Sequence, residues 1–126
     1  NLNLEMLESL PEFTEPVVLQ LSHNLLKPAT ELLTLAKDKG FLNMIYSPLA
    51  EGLLGTSKSS LGADGLSKKD FRRKSPYFTD PSFLDKRAVL EKEATSEGLS
   101  LPEYAYKSYL EEPLIDMMIM GPRRRG

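Results

Sequence analysis

The 126-residue chain contains no cysteine and no tryptophan, and its single histidine is His23. Without cysteine there is no disulfide framework and no thiolate nucleophile. One histidine with no cysteine falls short of a zinc ligand set. No apolar run approaches the roughly 18 residues of a membrane-spanning helix, and no basic-then-apolar leader opens the sequence. These absences point away from a membrane and toward the cytoplasm. An excess of either charge is also lacking: 16 Lys and Arg stand against 18 Asp and Glu, a net charge of -2. Such a balance gives no general attraction to nucleic acid. Paired acids such as Glu111-Glu112 read as surface, not as a glycosidase carboxylate pair. The glycines match neither the dinucleotide fingerprint nor a phosphate-binding P-loop, and no repeat recurs at a fixed period.

What remains is an ordinary globular composition, 40% hydrophobic and 27% charged, of a length suited to one domain or part of a larger one. Leu2, Met6, Leu7 and Leu10 lie near helical spacing, with Asn3 able to cap the start and Pro11 to stop it. Val17 to Leu21 is a β-rich run of strand length, apolar enough to be buried on both faces as in parallel sheets. Pro28 suits the first turn of a helix carrying Leu32, Leu33, Leu35 and Ala36, with Lys37 and Lys39 in its last turn and Gly40 at the left-handed C′ position. Leu42 to Tyr46 then reads as a second strand, so strand-helix-strand is the natural unit. The pattern breaks down from Gly52 to Asp80, a long loop with three further glycines and many lysines, arginines and serines. Ser82 is placed to cap a helix running to about Glu97, and Ser100-Leu101-Pro102-Glu103 is a capping box for a helix through Leu110. Ile115 to Met120 reads as a third strand before Gly121 and three arginines.

The class is therefore α/β, with about three parallel strands alternating with helices. Three buried-type strands leave two open sheet edges, which invites self-association or pairing with a complementing half. Ligands bind at the carboxyl ends of strands in such folds. Tyr46 stands at that end of the second strand, followed by Ser47 and free backbone amides, which suits a flat ring joined to phosphate. Several bland alternatives remain open. Tyr46 can simply pack under its loop, His23 reads more readily as a structural strand-end residue than as a ligand, and the basic loop as solvated surface or as a lid. Gln20, in an apolar strand, needs hydrogen-bond partners from a ligand or from neighbouring backbone. The arginine run reads as a solvated tail or as a phosphate contact.

Five stretches in order also resemble the C-terminal part of an aldo-keto reductase, a family of (β/α)8 barrels that use a nicotinamide cofactor. Asn1-Leu2-Asn3-Leu4-Glu5-Met6-Leu7-Glu8 is similar to the segment after the fifth strand, and Val18 to Leu26, with Gln20 and Asn24-Leu25-Leu26, to the sixth. Tyr46-Ser47-Pro48-Leu49-Ala50-Glu51-Gly52-Leu53-Leu54 resembles the seventh-strand signature, and Asp70 to Phe78 the long loop (53–80) that follows it. Ile119-Met120-Gly121-Pro122-Arg123-Arg124 is similar to the end of the eighth strand. The resemblance implies a partial (β/α)8 TIM barrel covering residues 1–126. It implies that Asn1 and Gln20 hydrogen-bond the nicotinamide carboxamide and that Tyr46 stacks on the ring. Ser47, Pro48, Leu49 and Gly52 would wrap the pyrophosphate, and Gly121, Arg123 and Arg124 would lie by the adenosine phosphate, favouring NADP(H) over NAD(H). The family's catalytic aspartate, tyrosine, lysine and histidine belong to strands upstream of Asn1. No residue here is assigned a catalytic role, and a carbonyl substrate is expected only in an intact barrel. Two functions follow: a cofactor-binding portion of an NADP(H)-dependent reductase, or a non-catalytic assembly module of reductase ancestry.

Overall fold

The computed structural model describes residues 2–55 and 66–121. They run in the order α1 (Leu4–Glu8), β1 (Val18–Ser22), α2 (Thr30–Asp38), β2 (Leu42–Tyr46), α3 (Pro76–Thr79), α4 (Pro81–Ser96), α5 (Leu101–Leu110) and β3 (Met117–Met118). The three strands are parallel and ordered β1-β2-β3, with Gln20 opposite Met44, and Met44 opposite Met117. The fold is a partial α/β barrel-like arrangement in which about three parallel strands alternate with helices. Two compact units divide the chain, one formed by Asn1–Pro48 with Tyr109–Gly126 and the other by Leu49–Ser108.

In the first unit, the Asn3 side chain accepts from the Met6 N–H and starts α1. Helix α2 begins at Thr30, two residues later than Pro28 suggests. Its end is a Schellman motif: the Phe41 N–H donates to Ala36 and the Gly40 N–H to Lys37. Gly40 sits at φ 82°, the left-handed conformation this motif requires. The core gathers Leu7, Ala36 and Phe41, with Leu19, Leu32 and Leu35 against them. Strand alternation sends Leu21, Asn43 and Ile45 to this covered side.

The opposite face corrects the expectation of a strand buried on both sides. Val18, Gln20, Ser22 and Leu42 are exposed, because no element among the described residues covers the side to which they point. The third strand is also shorter than expected: two half-buried residues pair with β2, while Ile119 and Met120 are exposed. Asn43 joins β2 to the approach of β3. Its Nδ2 donates to Leu33 and Leu114 carbonyls at 3.0 and 2.8 Å, and its N–H donates to the Asp116 carboxylate, which Lys37 also grips.

In the second unit, α4 is capped by Asp80, whose carboxylate accepts from the Ser82 N–H. Ser82 is therefore inside the helix, not its cap, since Pro81 takes the first helical position where a missing N–H costs nothing. The Ser100–Glu103 capping box forms as expected, and helix α5 continues to Leu110. The long loop is not wholly irregular. A 3-10 turn covers Phe71–Lys74 and α3 follows it; residues 56–65 of the loop lie outside the described residues.

Candidate functional site

The carboxyl end of β2 is built residue by residue from unusual backbone. Ser47, Ala50 and Glu51 all have positive φ, at 56°, 50° and 57°. For residues with a Cβ this conformation costs on the order of 1–2 kcal/mol each. Such strain persists where surrounding contacts impose it, and it concentrates at ligand sites.

Those contacts are identifiable. In the first unit, Asn24 Nδ2 donates to the Ser47 carbonyl at 3.2 Å, and the buried Tyr109 hydroxyl donates to the Pro48 carbonyl at 2.7 Å. In the second unit, the Leu49 carbonyl accepts from Gly52 and Leu54, and the Ala50 carbonyl from Leu53. Arg72 donates to the Glu51 carbonyl, Gly55 to that of Gly52, and the buried Arg87 to that of Leu53. Arg72 is itself held by Asp70, whose carboxylate takes it at 2.6 Å and raises the guanidinium pKa above its ordinary value. Every carbonyl from Ser47 to Leu53 is thus engaged by a donor. The N–H groups of Leu49, Ala50 and Glu51 have no acceptor among the described residues. Leu49 is near the right-handed region (φ -103°, ψ 17°) and Ala50 is left-handed. In that succession consecutive N–H groups turn toward one another, a backbone form that can hold an anion.

Tyr46 is half-buried at the end of β2, opposite Ser22 and on the same sheet face as the exposed Gln20. Ser47 and Leu49 are half-buried and Pro48 is buried. Gly52 takes φ 97°, and its N–H is spent on Leu49, so within this segment it shapes the turn. Gly121 is exposed just beyond β3. Asn1, Arg123 and Arg124 lie outside the described residues.

His23 takes the structural role. It is buried, its Nδ1 accepts from the Ala29 N–H at 3.0 Å, and its ring meets Tyr109 edge-on with centroids 5.8 Å apart. Burial pushes its pKa below the ordinary value, opposed by the carboxylate of Glu112. Neither Asn24 nor Tyr109 stands out as a site residue in the sequence. Tyr109 occupies an apolar position of an amphipathic helix (Leu101, Ala105, Tyr109), and its hydroxyl is the one available signal, since a buried phenol needs a partner. Among the described residues no group of three or more His, Asp or Glu is placed to hold a metal ion, and no helix is long and apolar enough to cross a membrane.

Comparison with known proteins agrees with this architecture. The model of the Aldo/keto reductase family matches residues 1–126. Neither the curated proteins nor the solved structures gave a match. With three parallel strands alternating with helices and a family match over its whole length, the chain belongs to the aldo/keto reductase family.

Proposed function

We propose that this chain is the cofactor-binding C-terminal portion of an NADP(H)-dependent aldo-keto reductase. The observation that carries the reading is the stretch after β2, where all carbonyls are bonded and the N–H groups of Leu49, Ala50 and Glu51 are left for an anion. Backbone donors of this kind fit a pyrophosphate: they are fixed before binding and carry no side-chain entropy cost. Tyr46, half-buried at the end of β2, would offer its ring to a nicotinamide. Gln20 and Asn1 serve its carboxamide, and the bound ring would present one face. Ser47 and Pro48 complete the pyrophosphate wrap, with Gly52 shaping its turn. Beyond β3, Gly121, Arg123 and Arg124 take the adenosine phosphate, where the guanidinium fork matches a 2′-phosphate. When bound, the cofactor supplies hydride for a carbonyl carbon, and the protein supplies orientation and electrostatics. On this reading the chain binds and orients, and carbonyl reduction belongs to an intact barrel.

Titration of NADPH into the chain, followed by nicotinamide fluorescence with NADH alongside, tests this. The expected result is saturable binding that favours NADPH and weakens at least tenfold in Tyr46→Ala and Arg124→Ala, the loss of a stack or a charged contact being worth about 1–3 kcal/mol. Absence of binding at millimolar NADPH would falsify it. The second reading, a non-catalytic assembly module of the same ancestry, is favoured by one observation: the sheet face bearing Val18, Leu42 and Ile119 is exposed.

A further inference from the structure

We propose that Arg72 is a positioning residue: its grip on the Glu51 carbonyl keeps Glu51 left-handed and so sets the direction of the Glu51 N–H. The proposal rests on the reading that the backbone after β2 takes the cofactor's pyrophosphate, and every residue it uses belongs to the second unit.

Glu51 takes φ 57° and ψ 21°, a conformation that an L side chain disfavours. The peptide planes on either side of it hold it there. On the near side, the Ala50 carbonyl accepts from the Leu53 N–H at 3.1 Å. On the far side, the Glu51 carbonyl accepts from Arg72 at 3.2 Å, and the Gly52 N–H of the same peptide donates to the Leu49 carbonyl at 3.0 Å. That peptide is trans, so its C=O and N–H point in opposite directions and it is gripped at both ends. Arg72 is itself fixed in orientation. The Asp70 carboxylate takes its Nε at 2.9 Å and a terminal nitrogen at 2.6 Å, and the guanidinium lies 5.4 Å from the centroid of the buried Phe78 ring. The Arg72 and Asp70 side chains are only 13% and 11% exposed, and an ion pair so far from water gains little net stability. Its use is geometric: a planar fork held on two nitrogens presents the third in a fixed place. Without that donor the far peptide can turn and Glu51 can relax to the right-handed region, which swings its N–H with the Ala50–Glu51 plane.

The test titrates inorganic pyrophosphate and NADPH into the full chain and its variants, with the sign of φ at position 51 read from backbone NMR couplings. Arg72→Lys keeps the charge without the fork. Arg72→Ala is made together with Asp70→Asn, so that no carboxylate is stranded beside the deletion. A further variant adds Glu51→Gly to that pair, since glycine takes positive φ without steric cost. The expected result is a roughly tenfold loss of affinity for both anions in the lysine and alanine variants, the worth of one oriented donor. Glu51→Gly should recover most of that loss, and positive φ at Glu51 should disappear along with affinity. Full affinity in Arg72→Lys would mean that charge and not aim is what counts, and would overturn positioning. So would undiminished affinity in the alanine variant, or a glycine variant that recovers nothing, the mark of general loosening. A wild-type chain that binds neither anion would overturn the cofactor reading and this proposal together. Each of the other failures overturns this proposal and leaves that reading standing.

Discussion

At the scale of single residues, the first unit is tied by polar groups whose protonation states matter. His23 is buried and neutral, with Nδ1 accepting from Ala29. Its folded pKa lies below the unfolded value of about 6.5. Above that pH both states are neutral and the bond to Ala29 contributes fully. As pH falls from about 6.5 toward the folded pKa, the unfolded chain takes the proton first and stability declines. Asp116 adds a second, lower step: the Lys37 ammonium first, and then the Asn43 N–H, hold its carboxyl below the usual range, so that contribution fades as pH drops through the carboxylate region. Thermal melts from pH 8 to 5 should show a falling midpoint below about 6.5 in the wild type. His23→Asn, whose side-chain oxygen can still accept from Ala29, should stay flat over that span. Identical profiles for the two proteins would remove His23 as the cause. None of this was legible in the sequence beyond the observation that a strand-end histidine is more readily structural than liganding. Asn43 was equally silent: in an apolar strand it read as one more residue, and its two carbonyl partners come from α2 and from the approach to β3.

At the scale of elements, local punctuation was readable where a single residue type decides the geometry. Gly40 is the clearest case, since the Schellman hydrogen bonds at the end of α2 need its φ of 82°. A Cβ there meets nothing within 4 Å, so Gly40→Ala is penalised through the backbone alone. The cost should be about 1 kcal/mol, read as a shift of the urea midpoint at constant slope. Gly40→Asn, which tolerates left-handed φ better, should cost less, and an alanine variant as stable as the wild type would show that the helix end re-forms another way. The Asn3 cap and the Ser100–Glu103 box were legible for the same reason: each is a short-range pattern satisfied by its own neighbours. Boundaries that depend on competition were not. Asp80 and Ser82 are both good caps, and Pro81 between them settled the matter by taking the first helical position. The contacts that shape the segment after β2 were also hidden, because Tyr109 and Arg87 reach it from 61 and 34 residues away. Sequence placed the tyrosine, serine and proline of that segment together; it gave no sign that every carbonyl would be bonded.

At the scale of the whole molecule, the sheet carries the largest unresolved tension between pattern and surroundings. Its apolar strands read as buried on both faces, yet Val18 is 44% exposed, Leu42 39%, Ile119 42% and Met120 58%. Alternation and register put Val18, Leu42, Met44, Met117 and Ile119 on one side, and the outer strands β1 and β3 have unpaired edges among the described residues. Burying a fully exposed side chain of this kind gains about 1.5–3 kcal/mol, and these five are already more than half covered, so they offer on the order of 5 kcal/mol from each copy. Association itself costs roughly 4–15 kcal/mol before any gain appears. With both copies contributing, the balance leaves at most about 6 kcal/mol, which corresponds to weak, reversible self-association at roughly 0.1 mM and above, well short of a permanent dimer. Sedimentation over a range of concentrations should therefore show the average mass rising with concentration, and Val18→Lys with Ile119→Lys should return it to that of the monomer. Neither substitution touches the backbone after β2, so NADPH affinity should survive the change. Loss of cofactor binding together with self-association would instead tie the two properties, and would mean that the cofactor site is completed only in the assembled state. A wild-type chain that stays monomeric throughout would show that this sheet tolerates open edges as it stands, and the assembly reading would lose its supporting observation.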